Sequence, residues 1–230
     1  MQRLRKAKQP FTFYTRLHLQ ELTGQKTRDL KGLLKGIREL SGSVIYHHTH
    51  RFLQQHQFLS PEPPNDFAYW VAEVLGEHKL GEELASIDTI QFPSIRALRE
   101  KLAQTIEGHI RYMEKTGQGQ FRVSSVEEQF HFIKTISFVF PTPYVAHNLP
   151  EFVEIFKKVT INSIYFHVFE AKLRLEKGVN DFSYWIDTSC ADLKLSKELA
   201  GLDPYTHTLE GLRTKIIDLI EARLEEVKKG

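Results

Sequence analysis

The sequence predicts a mainly α-helical protein, built by tandem internal duplication of one helical unit whose copies pack with pseudo-twofold symmetry. The stretch NDFAYWVAEVLGEHKLGEELASID, from Asn65, matches NDFSYWIDTSCADLKLSKELAGLD, from Asn180, in the same frame. The only two tryptophans, Trp70 and Trp185, fall at equivalent positions of this match. Apolar residues in the surrounding segments recur with helical spacing. Such a repeat constrains the whole architecture more than any single motif does.

The match extends over nearly the whole chain. Upstream, SVIYHH at Ser43 corresponds to NSIYFH at Asn162, and downstream IRALREKLAQTIE at Ile95 corresponds to LEGLRTKIIDLIE at Leu209. Each copy is short and carries many large apolar groups, so we expect the copies to share one core. The predicted division is a basic tail (1–10), copy 1 (11–112), a Gly-rich linker (113–129) and copy 2 (130–230).

The elements of one copy follow in order along the chain. The alternation in FTFYTRLHL and FHFIKTISFVF leaves room for a short strand at the start of each copy. A first helix, a histidine-bearing helix, an aromatic-rich third helix, a short helix and a long final helix come next. Short polar residues that can accept hydrogen bonds from free amides mark several helix starts. These residues are Asp29 and Asn148 for the first helix, Ser43 and Asn162 for the histidine-bearing helix, Asn65–Asp66 and Asn180–Asp181 for the third, and Ser94 for the final helix of copy 1.

Composition excludes several classes of function. The formal net charge is only +2, so a nucleic-acid partner is not expected. The basic start, MQRLRKAKQP, is interpreted as a solvated tail, with a surface or nucleic-acid contact as the alternative. Cys190 is the only cysteine, which rules out an intrachain disulfide and a cysteine-based zinc site. Without a secretory apolar region or a membrane-length apolar run, we expect a cytoplasmic protein with no membrane partner. The sequence leaves open whether the protein forms a homo-oligomer.

Four of the eleven histidines lie in SVIYHHTHRFLQQH. His48 has an equivalent in His167, and both fall within an apolar helical stripe. A histidine in such a stripe is typically a buried neutral imidazole with a hydrogen-bond acceptor nearby. Asp66 and Asp181, from the two NDF motifs, are the candidate acceptors. The alternative is that His48 and His167 build one shared pocket.

His47 and His50 are stronger candidates for function. Their spacing of three residues places them on one helix face, where copy 2 carries Phe166 and Phe169. A face that suits phenylalanine in one copy is at least partly covered, so the histidines are expected to line a cavity in copy 1. Two such imidazoles could also coordinate one metal ion. The sequence has no repeated Glu-x-x-His and no His-Glu-x-x-His, however, so a metal stays the alternative.

The motifs SVIYHHTHRFL, PNDFAYW and SIYFH with NDFSYW make the chain similar to an uncharacterised bacterial family of unknown function. The resemblance covers most of the chain. It implies no established activity, so it assigns no catalytic residue and no cofactor.

The sequence therefore favours a helical binding or scaffolding module with a His-lined pocket in copy 1 and a protein or small-molecule partner. The alternative is a metal-dependent enzyme or small-molecule sensor that uses the histidines as ligands or general bases. Nucleotide-binding loops and a Gly-x-Ser-x-Gly elbow are absent from the sequence, and Cys190 corresponds to Leu75, which favours a small buried hydrophobe. The pocket candidates are His47, His48, His50, Arg51, Asp66, His167 and Asp181.

Overall fold

Two long strands and a set of mostly short helices make up the chain. The computed structural model describes residues 6–55, 65–89, 91–117, 120–171, 179–202 and 207–229. Helices account for 58% of the structure and strands for 17%. The fold is therefore an α+β mixture, and the prediction of a mainly α protein formed by duplicating a helical unit is wrong.

The strands β1 (Phe11–Thr27) and β2 (Phe130–Ala146) form a two-stranded sheet. Contacts between them run in opposite directions along the chain, which makes the pair antiparallel. Thr23 donates to the carbonyl of Phe132 and Thr142 donates to the carbonyl of Phe13.

The sequence suggested only short strands because the alternation of buried and exposed side chains stops early. In both strands the inward-facing positions end near the sixth residue, at Arg16 in β1 and Thr135 in β2, and most of the later residues are exposed. Backbone pairing, which leaves no hydrophobic pattern, holds the remainder. Pro141 and Pro143 also argue against a strand, yet proline is tolerated at sheet edges, and both strands of a two-stranded sheet are edges.

The helices between the strands are short except for the last. In order these helices are α1 (Leu30–Glu39), α2 (Gly42–Gln55), α3 (Asp66–Tyr69), α4 (His78–Ala85) and α5 (Ile95–Lys115). A π-helical turn, Trp70–Val74, continues α3.

The helices after β2 repeat this order. The helices are α6 (Leu149–Phe156), α7 (Ile161–Tyr165), α8 (Asp181–Trp185), α9 (Leu193–Ala200) and α10 (Leu209–Lys229). Two further π-helical turns, Phe166–Glu170 and Ile186–Cys190, follow α7 and α8.

Five of the predicted helix caps are confirmed, whereas the caps predicted at Ser43 and Asn162 are wrong, because both residues lie inside helices that begin at Gly42 and Ile161. Asp29 accepts from the amide of Gly32 at 2.7 Å, and each of the other confirmed caps also accepts from the amide three residues on. Each cap satisfies an amide that has no partner inside its helix, a contribution of about 1 kcal/mol. The other confirmed caps are Asn65, Ser94, Asn148 and Asn180.

The chain divides into two compact units, and each strand runs from one into the other. Among the described residues, unit 1 contains 6–17, 138–171, 179–202 and 207–229, and unit 2 contains 18–55, 65–89, 91–117 and 120–137. The start of β1 therefore belongs with the helices that follow β2, and the start of β2 belongs with the helices that follow β1. This exchange of strand halves decides which residues meet at the candidate site.

Each unit has its own buried core. In unit 2, apolar residues of α1, α3, α4 and α5 pack around Phe130 and Phe132 of β2. In unit 1, Phe11 and Phe13 of β1 pack on Phe152 and Phe182 at ring-centroid distances of 5.1 to 6.4 Å. The first residues of β1 are therefore part of the core of unit 1, and the first residues of β2 are part of the core of unit 2.

Candidate aromatic cleft and histidine sites

His48 and His167 make the same pair of hydrogen bonds in their two units. Nδ1 of His48 lies 2.7 Å from Oδ2 of Asp66, and Nδ1 of His167 lies 2.7 Å from Oδ2 of Asp181. On the other side of each ring, Nε2 accepts a strand amide. Ile133 N–H donates to His48 at 3.0 Å, and Tyr14 N–H donates to His167 at 2.8 Å.

These contacts fix the tautomer of both rings. A ring nitrogen that accepts a hydrogen bond carries no proton, so in the neutral imidazole the proton lies on Nδ1 and is donated to the aspartate. A doubly protonated ring would set its Nε2–H against a backbone N–H. Each histidine is therefore neutral and ties a helix to a strand, as expected for a buried imidazole with an NDF aspartate as acceptor.

The two aspartates differ in exposure. The side chain of Asp66 is 57% exposed, whereas that of Asp181 is only 15% exposed. Water can therefore solvate much of the first carboxylate and little of the second. The hydrogen bond from His167 consequently matters more for its aspartate than the bond from His48 does.

His47 and His50 are both buried in α2 but point to different partners. Nδ1 of His47 lies 2.9 Å from Oγ1 of Thr135, and its ring meets that of His48 edge-on at 4.9 Å. The ring of His50 stacks on Tyr46 at 5.1 Å with an interplanar angle of 13°. His47 thus comes together with His48 and Asp66, within 4.8 Å, and that group does not include His50.

The tautomer of His50 follows from its neighbour. The Thr49 hydroxyl donates its hydrogen to the carbonyl of Ile45 at 2.7 Å, so it can only accept from Nδ1 of His50 at 2.8 Å. The proton of His50 therefore lies on Nδ1. The Arg51 side chain lies outside the described residues.

Sequence reasoning missed a buried ion pair in unit 1. Arg16 of β1 is 2% exposed, pairs with Glu170 and lies 4.7 Å from the centre of the Tyr165 ring. At the equivalent strand position of unit 2 stands Thr135, the partner of His47. The only available signal was that Glu170 corresponds to Arg51, a reversal of charge at one helical position.

Each unit contains a cleft lined by described residues. The cleft in unit 2 has a volume of about 960 Å³ and lies between α4 and α5. The cleft in unit 1, called here the aromatic cleft, has a volume of about 510 Å³ and is lined in part by His167 and Asp181. Neither of these two cavities is lined by His47, His48, His50 or Asp66.

The aromatic cleft is lined by aromatic and hydroxyl-bearing side chains. Both volumes are within the range of small-molecule sites, but the aromatic cleft is lined by five Phe, Tyr and Trp side chains, against Phe92 and Tyr112 in the cleft of unit 2. The lining of the aromatic cleft includes Phe11, Thr12, Tyr14, Phe166, Tyr184, Trp185, Thr188 and Ser189, in addition to His167 and Asp181.

Hydrogen bonds and ring contacts join the chain segment before and at the start of β1 to the helical residues on the other side of the aromatic cleft. The indole N–H of Trp185 donates to the carbonyl of Gln9 at 2.8 Å, and the amide of Lys8 donates to the carbonyl of Ser189 at 2.9 Å. The Phe11 ring packs on Trp185 at 5.5 Å and on His167 at 4.9 Å. These contacts fix the cleft before any ligand arrives.

Cys190 ends the π-helical turn that carries Thr188 and Ser189. Burial, with a smaller contribution from the nearby Asp192 carboxylate, raises the pKa of its thiol to about 12. Because the thiolate is the nucleophilic form, the side chain is unreactive at neutral pH.

None of the helices in the described part of the chain combines the length and the apolarity needed to cross a bilayer. No curated protein matches the chain. The chain is similar to a solved structure described as the structure of OrfY from Thermoproteus tenax, with 26% sequence identity and a TM-score of 0.78 over 95% of this chain and 97% of that one. A family model described as a family of unknown function, DUF5752, matches residues 8–221, and the chain therefore belongs to that family.

Proposed function

We propose that this protein is a binding module without chemistry of its own, and that the aromatic cleft holds a small molecule carrying a planar ring. The observation that carries the proposal is the wall of aromatic side chains in a cavity of about 510 Å³. Ring faces stack on planar ligands, and each such contact contributes about 0.5–1.5 kcal/mol beyond the area that it buries.

The hydrogen bonding of the histidines supports binding over catalysis. A general base must present a lone pair to its substrate. In His48 and His167 the Nε2 lone pair accepts a backbone amide, and Nδ1 faces an aspartate. Either ring would have to break a fold contact before it could take a proton, so we assign both to structure.

The equivalent face of unit 2 differs in a way that supports a specialised cleft in unit 1. Tyr14 corresponds to Ile133, and Phe166 corresponds to His47. Unit 2 nevertheless retains an exposed tyrosine, Tyr69, at the position of Tyr184, with exposures of 55% and 41%. This pair provides a matched control.

The two tryptophans give a direct assay. A Trp70→Phe variant leaves Trp185 as the only indole, so its fluorescence reports on the aromatic cleft alone. Screening planar-ring compounds against this variant should yield saturable quenching. Tyr184→Ala should weaken binding of a hit at least about fivefold, since one wall of the stack is lost, and Tyr69→Ala should leave it unchanged. Equal effects of the two alanine variants, or the absence of saturable quenching across the screen, would reject the proposal.

A second candidate function is metal binding at His47, His48 and Asp66. It is favoured by the approach of their potential ligand atoms to within 4.8 Å of one another. The hydrogen bonds count against it, since a metal on Nδ1 of His48 would move the ring proton to Nε2, against the Ile133 amide. Elemental analysis of untagged protein decides between the two. Near-stoichiometric metal that is lost in His47→Ala would favour this candidate over the first.

The cellular setting is part of the same proposal. The single cysteine, whose thiol cannot form an intrachain disulfide, supports a reducing compartment such as the cytoplasm. A small molecule is the partner that the aromatic cleft suits best.

A further inference from the structure

The cleft in unit 2, called here the α4–α5 cleft, is separate from the proposed ring site. It follows α5 from Lys101 to Tyr112, a length of about 16 Å at the helical rise, with α4 and the segment around Phe92 on its other side. Lys79 and Lys101 contribute positive charge to the lining, and Glu83 and Asp88 contribute negative charge. Ile87, Phe92 and Pro93 supply apolar surface.

Unit 1 shows how the equivalent position is filled by the chain itself. There the Glu226 carboxylate accepts from Lys194 at 3.0 Å and from Arg223 at 2.9 Å. Arg223 also donates to Asp192 at 2.7 Å. The hydrogen bonds from Lys194 and then Arg223 lower the pKa of Glu226, which therefore stays ionised at neutral pH. A carboxylate thus bridges two cations between α9 and α10.

Unit 2 keeps part of this network and lacks its central carboxylate. His109 and Glu77 replace Arg223 and Asp192, with Nε2 of His109 lying 3.0 Å from Oε2 of Glu77. Lys79 corresponds to Lys194, but Tyr112 stands where unit 1 has Glu226. The Lys79 ammonium lies 5.4 Å from the centre of the Tyr112 ring, and no carboxylate of the described residues forms an ion pair with it.

Smaller side chains accompany the missing carboxylate. Thr105 and Gly108 line the α4–α5 cleft where unit 1 carries Leu219 and Ala222. A Cβ added at Gly108 would meet no atom within 4 Å. The cleft therefore has both a cation at its end and open volume along α5.

We propose that the α4–α5 cleft binds a small organic monocarboxylate, whose charged group takes beside Lys79 the place that Glu226 takes beside Lys194. The carbon skeleton of the ligand lies toward Ile87, Phe92 and Pro93. Glu83 and Asp88 repel a second negative charge, so the cleft prefers one carboxylate on an apolar body. This site is independent of the proposed function, because it needs no aromatic ring in the ligand.

Hexanoate is a suitable probe, with neutral hexanamide as its matched control, because neither carries a ring that the aromatic cleft would hold. Binding is followed by NMR shifts of the α4 and α5 amides in the intact protein. We expect saturable binding of hexanoate that weakens as ionic strength rises and is at least about threefold tighter than binding of hexanamide. Equal affinity for acid and amide, or no saturable shift with hexanoate, overturns the proposal.

Variants then test the role of Glu226 as a template. Lys79→Gln should weaken hexanoate binding about three- to fivefold, the range of an exposed ion contact, whereas Lys194→Gln should not change it. Tyr112→Glu supplies the carboxylate of unit 1 within the chain, so it should weaken binding about tenfold while the melting temperature is kept or raised. Equal binding by the two glutamine variants, or full binding by Tyr112→Glu, contradicts the proposal. An acetylated, amidated glutamate peptide tests whether the bound carboxylate comes from a free acid or from a protein side chain. If this peptide binds more tightly than hexanoate, and its binding depends on Lys79, the natural ligand is a protein side chain and the proposal of a free monocarboxylate is overturned.

Discussion

Phenylalanine at position 167 should destabilise its unit more than phenylalanine at position 48 destabilises the other. In both variants the ring keeps a similar size, so no large cavity opens, and both remove an acceptor from a part-buried strand amide. Losing that hydrogen bond costs about 1 kcal/mol in each case. The difference comes from the aspartates.

Losing a hydrogen bond to a charged group costs about 1.5–3 kcal/mol when water cannot replace it. Asp181 is 15% exposed and bears most of this cost, whereas Asp66 is 57% exposed and is largely compensated by water. We therefore expect about 3 kcal/mol for His167→Phe and about 1–2 kcal/mol for His48→Phe.

Urea unfolding measures both changes if each unit is followed by its own tryptophan. Trp70→Phe protein reports unit 1 through Trp185, and Trp185→Phe protein reports unit 2 through Trp70. Equal losses of free energy in the two units, or a larger loss for His48→Phe, would refute the reasoning from aspartate exposure.

Three further predictions rest on other contacts. Iodoacetamide at pH 8.5 should label native Cys190 at least about a hundredfold more slowly than urea-unfolded protein, because burial raises the pKa of the thiol to about 12. The same raised pKa means that the thiol lowers the stability of the folded protein as the pH rises above the unfolded pKa, near 9.0. Comparable labelling rates would contradict the raised pKa. In thermal unfolding, Gly36→Ala should lower stability by about 1–3 kcal/mol, since its Cβ would overlap a buried phenylalanine ring of β2. Gly108→Ala should instead raise stability by about 0.5–1 kcal/mol, because open space surrounds the position of the added Cβ. Arg16→Met should lower the free energy of unfolding by about 3–5 kcal/mol, because it leaves the Glu170 carboxylate without its buried partner. Adding Glu170→Met should restore much of the lost stability. Additive losses in this double-mutant cycle would argue against coupling of the two residues.

The sequence predicted the parts of the fold that depend on local chemistry. The helix caps, such as Asp29 and Asn65, follow from one polar side chain and the amide three residues later. The aspartate acceptors of His48 and His167 could be predicted because an NDF motif follows each of these two equivalent histidines, with its aspartate 18 residues after His48 and 14 residues after His167.

The sequence could not predict contacts that depend on the exchange of strand halves. Tyr14 belongs to the first repeat copy in sequence and His167 to the second, yet they lie in the same unit and share a hydrogen bond. A tandem arrangement of self-contained helical units gives no reason to pair them. The aromatic cleft was missed for the same reason, since its walls come from the start of β1 and from helices more than a hundred residues later.

The length of the strands was missed for a different reason. After Arg16 and Thr135 most strand side chains are exposed, so hydrophobic alternation ends while backbone pairing continues. Burial patterns predict elements that face a core, and these strand ends do not.

The central claim, that ligand binds in the aromatic cleft, is tested most directly by the two indole N–H signals in a ¹⁵N NMR spectrum. Each signal is assigned by its loss in Trp70→Phe or Trp185→Phe protein, and a planar-ring hit from the fluorescence screen is then titrated into the native chain. We expect a saturable shift of the Trp185 signal while the Trp70 signal stays in place. Movement of the Trp70 signal instead, or of both signals equally, would contradict it.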